Sequence, residues 1–520
     1  MVSQSQAVRR SSRVPGPYVA AALRSNSREV RGGNTAAVLK PLRSLQDWAH
    51  ERPDDLAVAG PELELSAGEL WDTALRILAW IREAGVSTQE TVGAAVPPSL
   101  HPAFLVALLA RGGIGSLVNS QAEVGLDVPL QRLITVDGNG MKHPADVLLT
   151  FDDSAIGRLA QVDTSTVDIA SPAADDICWF IYSSGTTGAP KAVMRTVAAV
   201  EALAAPRRLR LARGAYASLQ PGTVAGSMSA FLAAITARRP HLAAGTTEEN
   251  LGMLRDRAIE IAEGSPFQLD RLLTVARRSG DRLPALQELH SAGAPLSSGL
   301  ASALADWFGV RVYDGYGSSE TGFVAARRAD VPEAPERGGV VEDGVDVEIV
   351  DDDHEPVPAG EDGRVRLRTA SMGVGYFGAP DLGEHKGFHG GWFYPGDLGR
   401  LIDGELVIIG REDDLMNVGG RKIMPHRVEE IVLEQPGVRE AVACAVVDKL
   451  GIRQLAIAIV GEPINDPVKF AQKLRQPLGG ILPSLIMRMD AIPRSENGKP
   501  QRSRVIDILQ EQLNRPSNIL

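Results

Sequence analysis

Six consecutive apolar residues at 177–182 (Ile-Cys-Trp-Phe-Ile-Tyr) run straight into eight residues of Ser, Gly, Thr, Ala and Pro, closed by Lys191. An unbroken apolar run of this length, bounded by turn formers, predicts a strand buried on both faces and points to an α/β architecture. The loop behind it suits an anion. Gly185 and Gly188 permit tight turns that bring backbone N–H groups close to anionic oxygens. Ser183, Ser184, Thr186 and Thr187 add hydroxyl donors, and Lys191 adds a point charge. Only two residues separate Gly185 from Gly188, so this is not a GxxxxGK P-loop.

The rest of the chain frames this element. With 520 residues the sequence exceeds one ordinary core. Ser66 and Glu69 predict a capping box that opens a helix through Leu70, Ala74, Ile77 and Ile81. Residues 103–110 read as a buried helix, 114–118 as a short strand, 137–176 as polar loop, and a helix is expected from about Val193. Strands follow at 345–350 and 364–368, then a hairpin at 399–409 turning at Asp403-Gly404. Beyond Arg411 the pattern becomes a compact alternation, with helices near 425–435 and 467–475, strands at 440–447, 455–460 and 485–491, and a closing helix from about Ser503. The expected organisation is a basic, flexible extension (1–43), a large α/β domain of packed sheets and helices (44–411) and a small mobile α+β domain (412–520).

Charge and cysteine content narrow the partners. Residues 1–43 carry eight basic side chains and one acid, yet the whole chain has a net charge of −11, which argues against a dedicated nucleic-acid binder. No apolar run approaches the ~20 residues of a membrane span. Cys178 and Cys444 lie far apart and form neither a disulfide framework nor a metal-spaced cluster, which fits a reducing cytoplasm.

Residues 182–191 (YSSGTTGAPK) resemble the phosphate loop of the adenylate-forming superfamily: acyl-CoA synthetases, peptide-synthetase adenylation domains and firefly luciferase. Further motifs follow in that family's order over more than 300 residues, and within it the chain is most similar to AMP-forming acyl-CoA ligases. Ser291, Ala292, Gly293, Ala294 and Pro295 resemble the strand and turn that line the adenine face. Asp314, Gly315, Tyr316, Gly317, Ser319 and Glu320 resemble the aromatic-Gly-x-Thr-Glu segment. There an aromatic face stacks on adenine, a hydroxyl holds an α-phosphate oxygen, and the carboxylate suits Mg²⁺. Apart from the family, Glu320 also reads as an acid at the start of a helix. Asp397 resembles the ribose-binding Asp, Arg411 the residue assisting ribose or phosphate, Asp413 the hinge, and Lys499 the mobile catalytic lysine.

The resemblance implies ATP, Mg²⁺ and coenzyme A. A carboxylate attacks the α-phosphorus of ATP, and pyrophosphate leaves from a loop that includes Thr186 and Lys191. The small domain then turns about Asp413, and the Gly419-Gly420 segment replaces Lys499 beside the incoming thiol, where glycine leaves room for the tunnel. Thr223, Gly226, Ser227 and Phe323 fall in the region that borders the acid. The small residues there imply a roomy pocket for a bulky, mostly apolar carboxylic acid. Ala192, Ser319, Pro395 and Arg427 replace the family's usual Gly, Thr, Thr and Glu. They leave open a ligase that accepts a preformed acyl-adenylate, and a stand-alone adenylation enzyme that loads a carrier protein is a further alternative. Lys499→Ala should slow adenylation by about 3 kcal/mol or more, the scale of losing an oxyanion donor, and spare thioester formation from supplied adenylate. Pyrophosphate exchange assayed beside thioesterification checks this, and equal loss of both contradicts the domain-turning assignment.

Overall fold

The computed structural model describes residues 38–61, 63–118, 130–136, 147–183, 191–204, 216–219, 224–242, 245–331, 339–378, 386–418, 420–464, 466–494 and 500–514. The apolar run forms the strand Ile177–Ser183, with Cys178, Trp179, Phe180 and Ile181 buried. Among the described residues it belongs to a seven-stranded sheet in the order Gly375–Tyr376, Lys191–Thr196, Ile177–Ser183, Gly115–Leu117, Val92–Ala95, Arg132–Thr135 and Val147–Thr150. Lys191–Thr196 is antiparallel to both of its neighbours, Ile177–Ser183 and Gly375–Tyr376.

Several sequence expectations change here. The helix expected from about Val193 begins only at Val197, because Lys191–Thr196 finds a strand partner on either side. Thr196 then ends the strand and caps the helix Val197–Leu203, its Oγ1 accepting from the N–H of Ala199 at 3.2 Å. The stretch expected to be loop contains the strand Val147–Thr150 and the helix Asp153–Leu159, which Asp152 caps at the N–H of Ala155. Residues 38–43, expected in the extension, are part of the fold. Helix Lys40–Glu51 starts before residue 43, and Leu39 and Leu42 join Leu45 and Trp48 in the main core. Local signals elsewhere hold: Ser66 and Glu69 form the capping box of helix Ala67–Glu83, and His101–Arg111 is buried on every side.

A second sheet has 15 strands among the described residues. At its centre Ile261–Gly264, Glu288–Ala292 and Arg311–Ser318 are parallel neighbours. From Arg311–Ser318 onward it becomes antiparallel through Gly322–Arg328, Gly339–Val341, Glu405–Arg411 and Asp397–Ile402. Asp403 and Gly404, with φ of 51° and 82°, close the expected hairpin in the doubly positive geometry of a tight two-residue turn.

After the hairpin Met416–Val418 and Arg421–Ile423, the chain forms a three-stranded sheet of Val438–Val447, Arg453–Gly461 and Leu485–Arg488. Helices Pro425–Leu433, Pro467–Arg475 and Arg502–Asn514 accompany it. The buried apolar residues of this part form two clusters of their own. Among the described residues, no helix is long and apolar enough to cross a membrane. Leu42→Ala should cost about 2–5 kcal/mol of stability, as expected for a fully buried Leu. Denaturant unfolding measures this, and a cost near zero would return residues 38–43 to the extension.

Candidate active site

The site is assembled where the strand Lys191–Thr196 of one sheet meets the turn between Arg311–Ser318 and Gly322–Arg328 of the other. Arg195, only 1% exposed, donates from Nη2 to the carbonyl of Ser319 at 2.7 Å. The N–H of Gly373 donates to the carbonyl of Glu320 at 2.8 Å, and that of Val374 to Met194 at 2.9 Å. The turn itself is over-determined. The Oγ of Ser318 accepts from the N–H groups of Glu320 and Thr321, while the Thr321 carbonyl accepts from the hydroxyls of Thr369 and Ser371. Gly317 belongs here for a steric reason, since a Cβ would run into the backbone of Gly322.

Glu320 is therefore a turn residue and not an acid at a helix start. Its side chain, 9% exposed with the residue, accepts at Oε1 from the hydroxyl of Tyr376 at 2.9 Å. The ammonium of Lys191 stands 5.2 Å from the centre of the same Tyr376 ring. Burial pushes the Arg195 guanidinium down to about 10, opposed by the charge of Glu320.

A second group lies at the end of the antiparallel hairpin. Asp397 and Arg411 are register partners. The carboxylate of Asp397 accepts at Oδ2 from the Tyr316 hydroxyl, and its Oδ1 lies 3.5 Å from Nε of Arg411. Burial raises the Asp397 carboxyl above its usual range, against the hydrogen bond from Tyr316 and the charge of Arg411. Burial and the neighbouring Asp397 raise the Tyr316 phenol well above its usual value, so it stays a donor. Arg411 also donates from Nη2 to the carbonyl of Pro395 at 2.8 Å.

Ser291 and Ala292 end the parallel strand Glu288–Ala292, next to Asp314 and Gly315 on the adjoining strand. Gly293, Ala294 and Pro295 continue beyond that carboxyl-terminal edge, the usual ligand-binding edge of such sheets. Asp314 is committed to structure: Arg327 donates to its Oδ2 from Nη2 at 3.1 Å and from Nε at 3.3 Å. Phe323 lies over Gly315, whose added Cβ would come within 2.6 Å of the ring. Met228 is a core residue, and Gly226 and Ser227 begin the helix Val224–Thr236. At the junction Lys386 holds Asp413 at 2.5 Å, and Arg364 donates to Glu412 at 2.8 Å.

Gly420 also has a backbone reason to be glycine. A Cβ there would meet nothing within 4 Å, and what calls for glycine is φ of +82° in the turn between Met416–Val418 and Arg421–Ile423. Ala192 fits its place in the sheet. It lies in a strand facing Tyr182, its side chain is buried in a small apolar cluster, and its carbonyl accepts from the N–H of Phe377 at 2.8 Å. Burial pushes the thiol of Cys178 up to about 12, as suits a packing residue. Thr186, Ser184, Gly185, Thr187, Gly188, Thr223, Gly419 and Lys499 lie outside the described residues, and Ser183 is described in its backbone alone.

Arg195 and Tyr376 were not legible as site residues. Arg195 resembles any polar residue of an alternating strand, and Tyr376 sits 56 residues from Glu320 in a Gly-rich stretch with no pattern of its own.

A family profile described as AMP-binding enzyme matches residues 45–377. The 3-hydroxybenzoate–CoA/4-hydroxybenzoate–CoA ligase of Thauera aromatica is 29% identical over 399 residues, covering 72% of this chain and 73% of that one. The feruloyl-CoA synthase of an Amycolatopsis species is 27% identical over 500 residues, covering 88% and 97%. The crystal structure of the anthranilate CoA ligase AuaEII in complex with anthranoyl-AMP superposes with a TM-score of 0.79 at 20% identity, covering 92% of this chain and 98% of that one.

Asp314 carries a pH signature, because burial lifts it to about 6 despite Arg327. A folded value above the unfolded one means its contribution to stability is fully present below about pH 4 and lost as pH rises through about 6. Asp314→Asn removes that loss. The stability of the wild type relative to the variant should therefore fall by up to about 3 kcal/mol between about pH 4 and pH 7. Urea unfolding across this range measures the difference, and a pH-independent difference contradicts the assignment.

Proposed function

We propose, because this chain belongs to the AMP-binding enzyme family, that it is an AMP-forming acyl-CoA ligase acting on an aromatic carboxylic acid. The acid–thiol ligase class follows from the family and from relatives named as CoA ligases. The choice of an aromatic acid rests on two supports: relatives named for hydroxybenzoate and feruloyl substrates, and the small residues Thr223, Gly226 and Ser227 in the expected acid-binding region.

The observation that carries the nucleotide half is the Asp397 carboxylate, held between Tyr316 and Arg411. A fixed, acceptor-only group is the natural partner of two vicinal hydroxyls on a ribose. Tyr316 offers its ring to adenine beside Gly293, Ala294 and Pro295. The residues also fit Mg²⁺. Among the described residues no three potential metal ligands cluster, and Mg²⁺ usually takes one or two carboxylates and completes its shell with substrate phosphates and water. Glu320 is the hard oxygen donor that would hold it. When bound, the ion neutralises charge on the phosphates.

In the first step the acid's carboxylate oxygen attacks the α-phosphorus, the bond to the bridging oxygen breaks, and pyrophosphate departs toward Thr186 and Lys191. Catalysis here is positioning and charge stabilisation, with Lys499 spanning the carboxylate and phosphate. Residues 412–520 then turn about Asp413, a reading supported by the separate apolar clusters of that part. Lys386 and Arg364, gripping Asp413 and Glu412, set the pivot on the large domain. The thiol of CoA attacks the acyl carbon beside Gly420, and AMP leaves.

Hydroxylated benzoic and cinnamic acids, straight-chain fatty acids and acetate, each supplied with ATP and CoA, test the reading by mass spectrometry of the thioester. Aromatic acids should exceed acetate in kcat/KM by about 100-fold or more, since each methylene-sized group in a fitted pocket is worth roughly 10-fold or more. Preference for straight-chain acids would overturn the substrate assignment, and AMP release without a CoA thioester would overturn the ligase.

A further inference from the structure

Resting on the nucleotide and Mg²⁺ reading above, we propose that Tyr376 is a positioning residue for adenylation: its hydroxyl fixes the Glu320 carboxylate while its ring seats the Lys191 ammonium, coupling metal ligand and phosphate-loop cation through one side chain. The hydroxyl bond to Oε1 is 2.9 Å, and Lys191 Nζ lies 5.2 Å from the ring centre. A bond to one oxygen orients a carboxylate that has about four lone-pair positions and leaves it able to bind a cation. The ring face is the electron-rich side, which attracts an ammonium.

Tyr376 is itself held from several directions. It is the register partner of Val193 on the strand that begins with Lys191, so ring and ammonium are set by the same ladder. The N–H groups of Gly373 and Phe377 bond on either side of it, to the carbonyls of Glu320 and Ala192. Phe388 packs edge-on against its ring at 5.2 Å. Arg195 completes the frame from beneath by gripping the carbonyl of Ser319, next to Glu320. The segment 373–377 thus touches both halves of the triphosphate machinery. A residue serving packing alone needs its ring and has no use for a hydroxyl aimed at a carboxylate.

The test is Tyr376→Phe, which removes the hydroxyl and keeps the ring. Calorimetry would follow a non-hydrolysable ATP analogue over a Mg²⁺ titration, with metal-free AMP binding measured in parallel. The apparent Mg²⁺ affinity should weaken about 10- to 100-fold, the usual worth of one hydrogen bond to a charged group. AMP affinity should stay within about twofold of wild type, and thioester formation from a supplied acyl-adenylate should be spared. Tyr376→Leu removes the ring as well and should also weaken metal-free binding of the analogue, through Lys191. Wild-type Mg²⁺ dependence in Tyr376→Phe overturns the proposal, as does a parallel loss of AMP and metal binding, which would make Tyr376 a packing residue. Wild-type protein that binds neither AMP nor the analogue overturns instead the nucleotide reading on which the proposal stands.

Discussion

The bond from the buried guanidinium of Arg195 to the carbonyl of Ser319 ties the two large sheets together at the point where the site forms. A charge this deeply withdrawn from water carries a desolvation cost of several kcal/mol, offset only where its surroundings are polar and well placed. Arg195 meets that condition in part. It has the carbonyl and the field of Glu320, yet its Nε and Nη1 have no partner among the described residues. An apolar side chain would fill the same space at less cost. The arginine gives the junction direction: it joins the strand of Lys191 to the turn of Glu320 and holds the two segments in a common register.

Around this tie the carboxylates are held in different ways, and each suits a different task. Among the described residues Glu320 has one neutral hydroxyl partner and a cation nearby, an arrangement that keeps an oxygen donor available. Asp397 is held between a phenol and a guanidinium, so its lone pairs are aimed before any ligand arrives. Asp314 is spent on Arg327 and joins neighbouring strands to the turn at Leu296. Three acids within one region thus differ in their partners: a phenol hydroxyl for Glu320, a phenol and a guanidinium for Asp397, and the guanidinium of Arg327 for Asp314. Burial is the common pressure on the two aspartates, and the local partner decides the outcome.

Much of this was readable along the chain. The buried strand, the capping box at Ser66, the doubly positive turn at Asp403-Gly404 and the C-terminal helices and strands are local devices. Each rests on periodicity or on a backbone requirement carried by a few adjacent residues. Tyr316, Glu320, Asp397 and Arg411, which the fold brings into two polar groups, could be singled out for a related reason, since they stand in short, recognisable runs. Residues 193–196 carry no such local device, because Val-Met-Arg-Thr suits helix or strand about equally. What decides is whether partner strands lie alongside, and one of those partners arrives almost 180 residues later, at Gly375–Tyr376.

The sequence by itself determined the kind of chemistry and most of the elements, because hydrophobic period, caps and turn residues act within a few positions of one another. Only the tertiary structure decided that Tyr376 meets Glu320, that Arg195 braces Ser319, that Asp314 is taken by Arg327, and that Gly420 is needed for its backbone angle in an open turn. Those are contacts or conformations set by how distant strands align, and the spacing of residues along a chain carries no record of which strand will lie beside which.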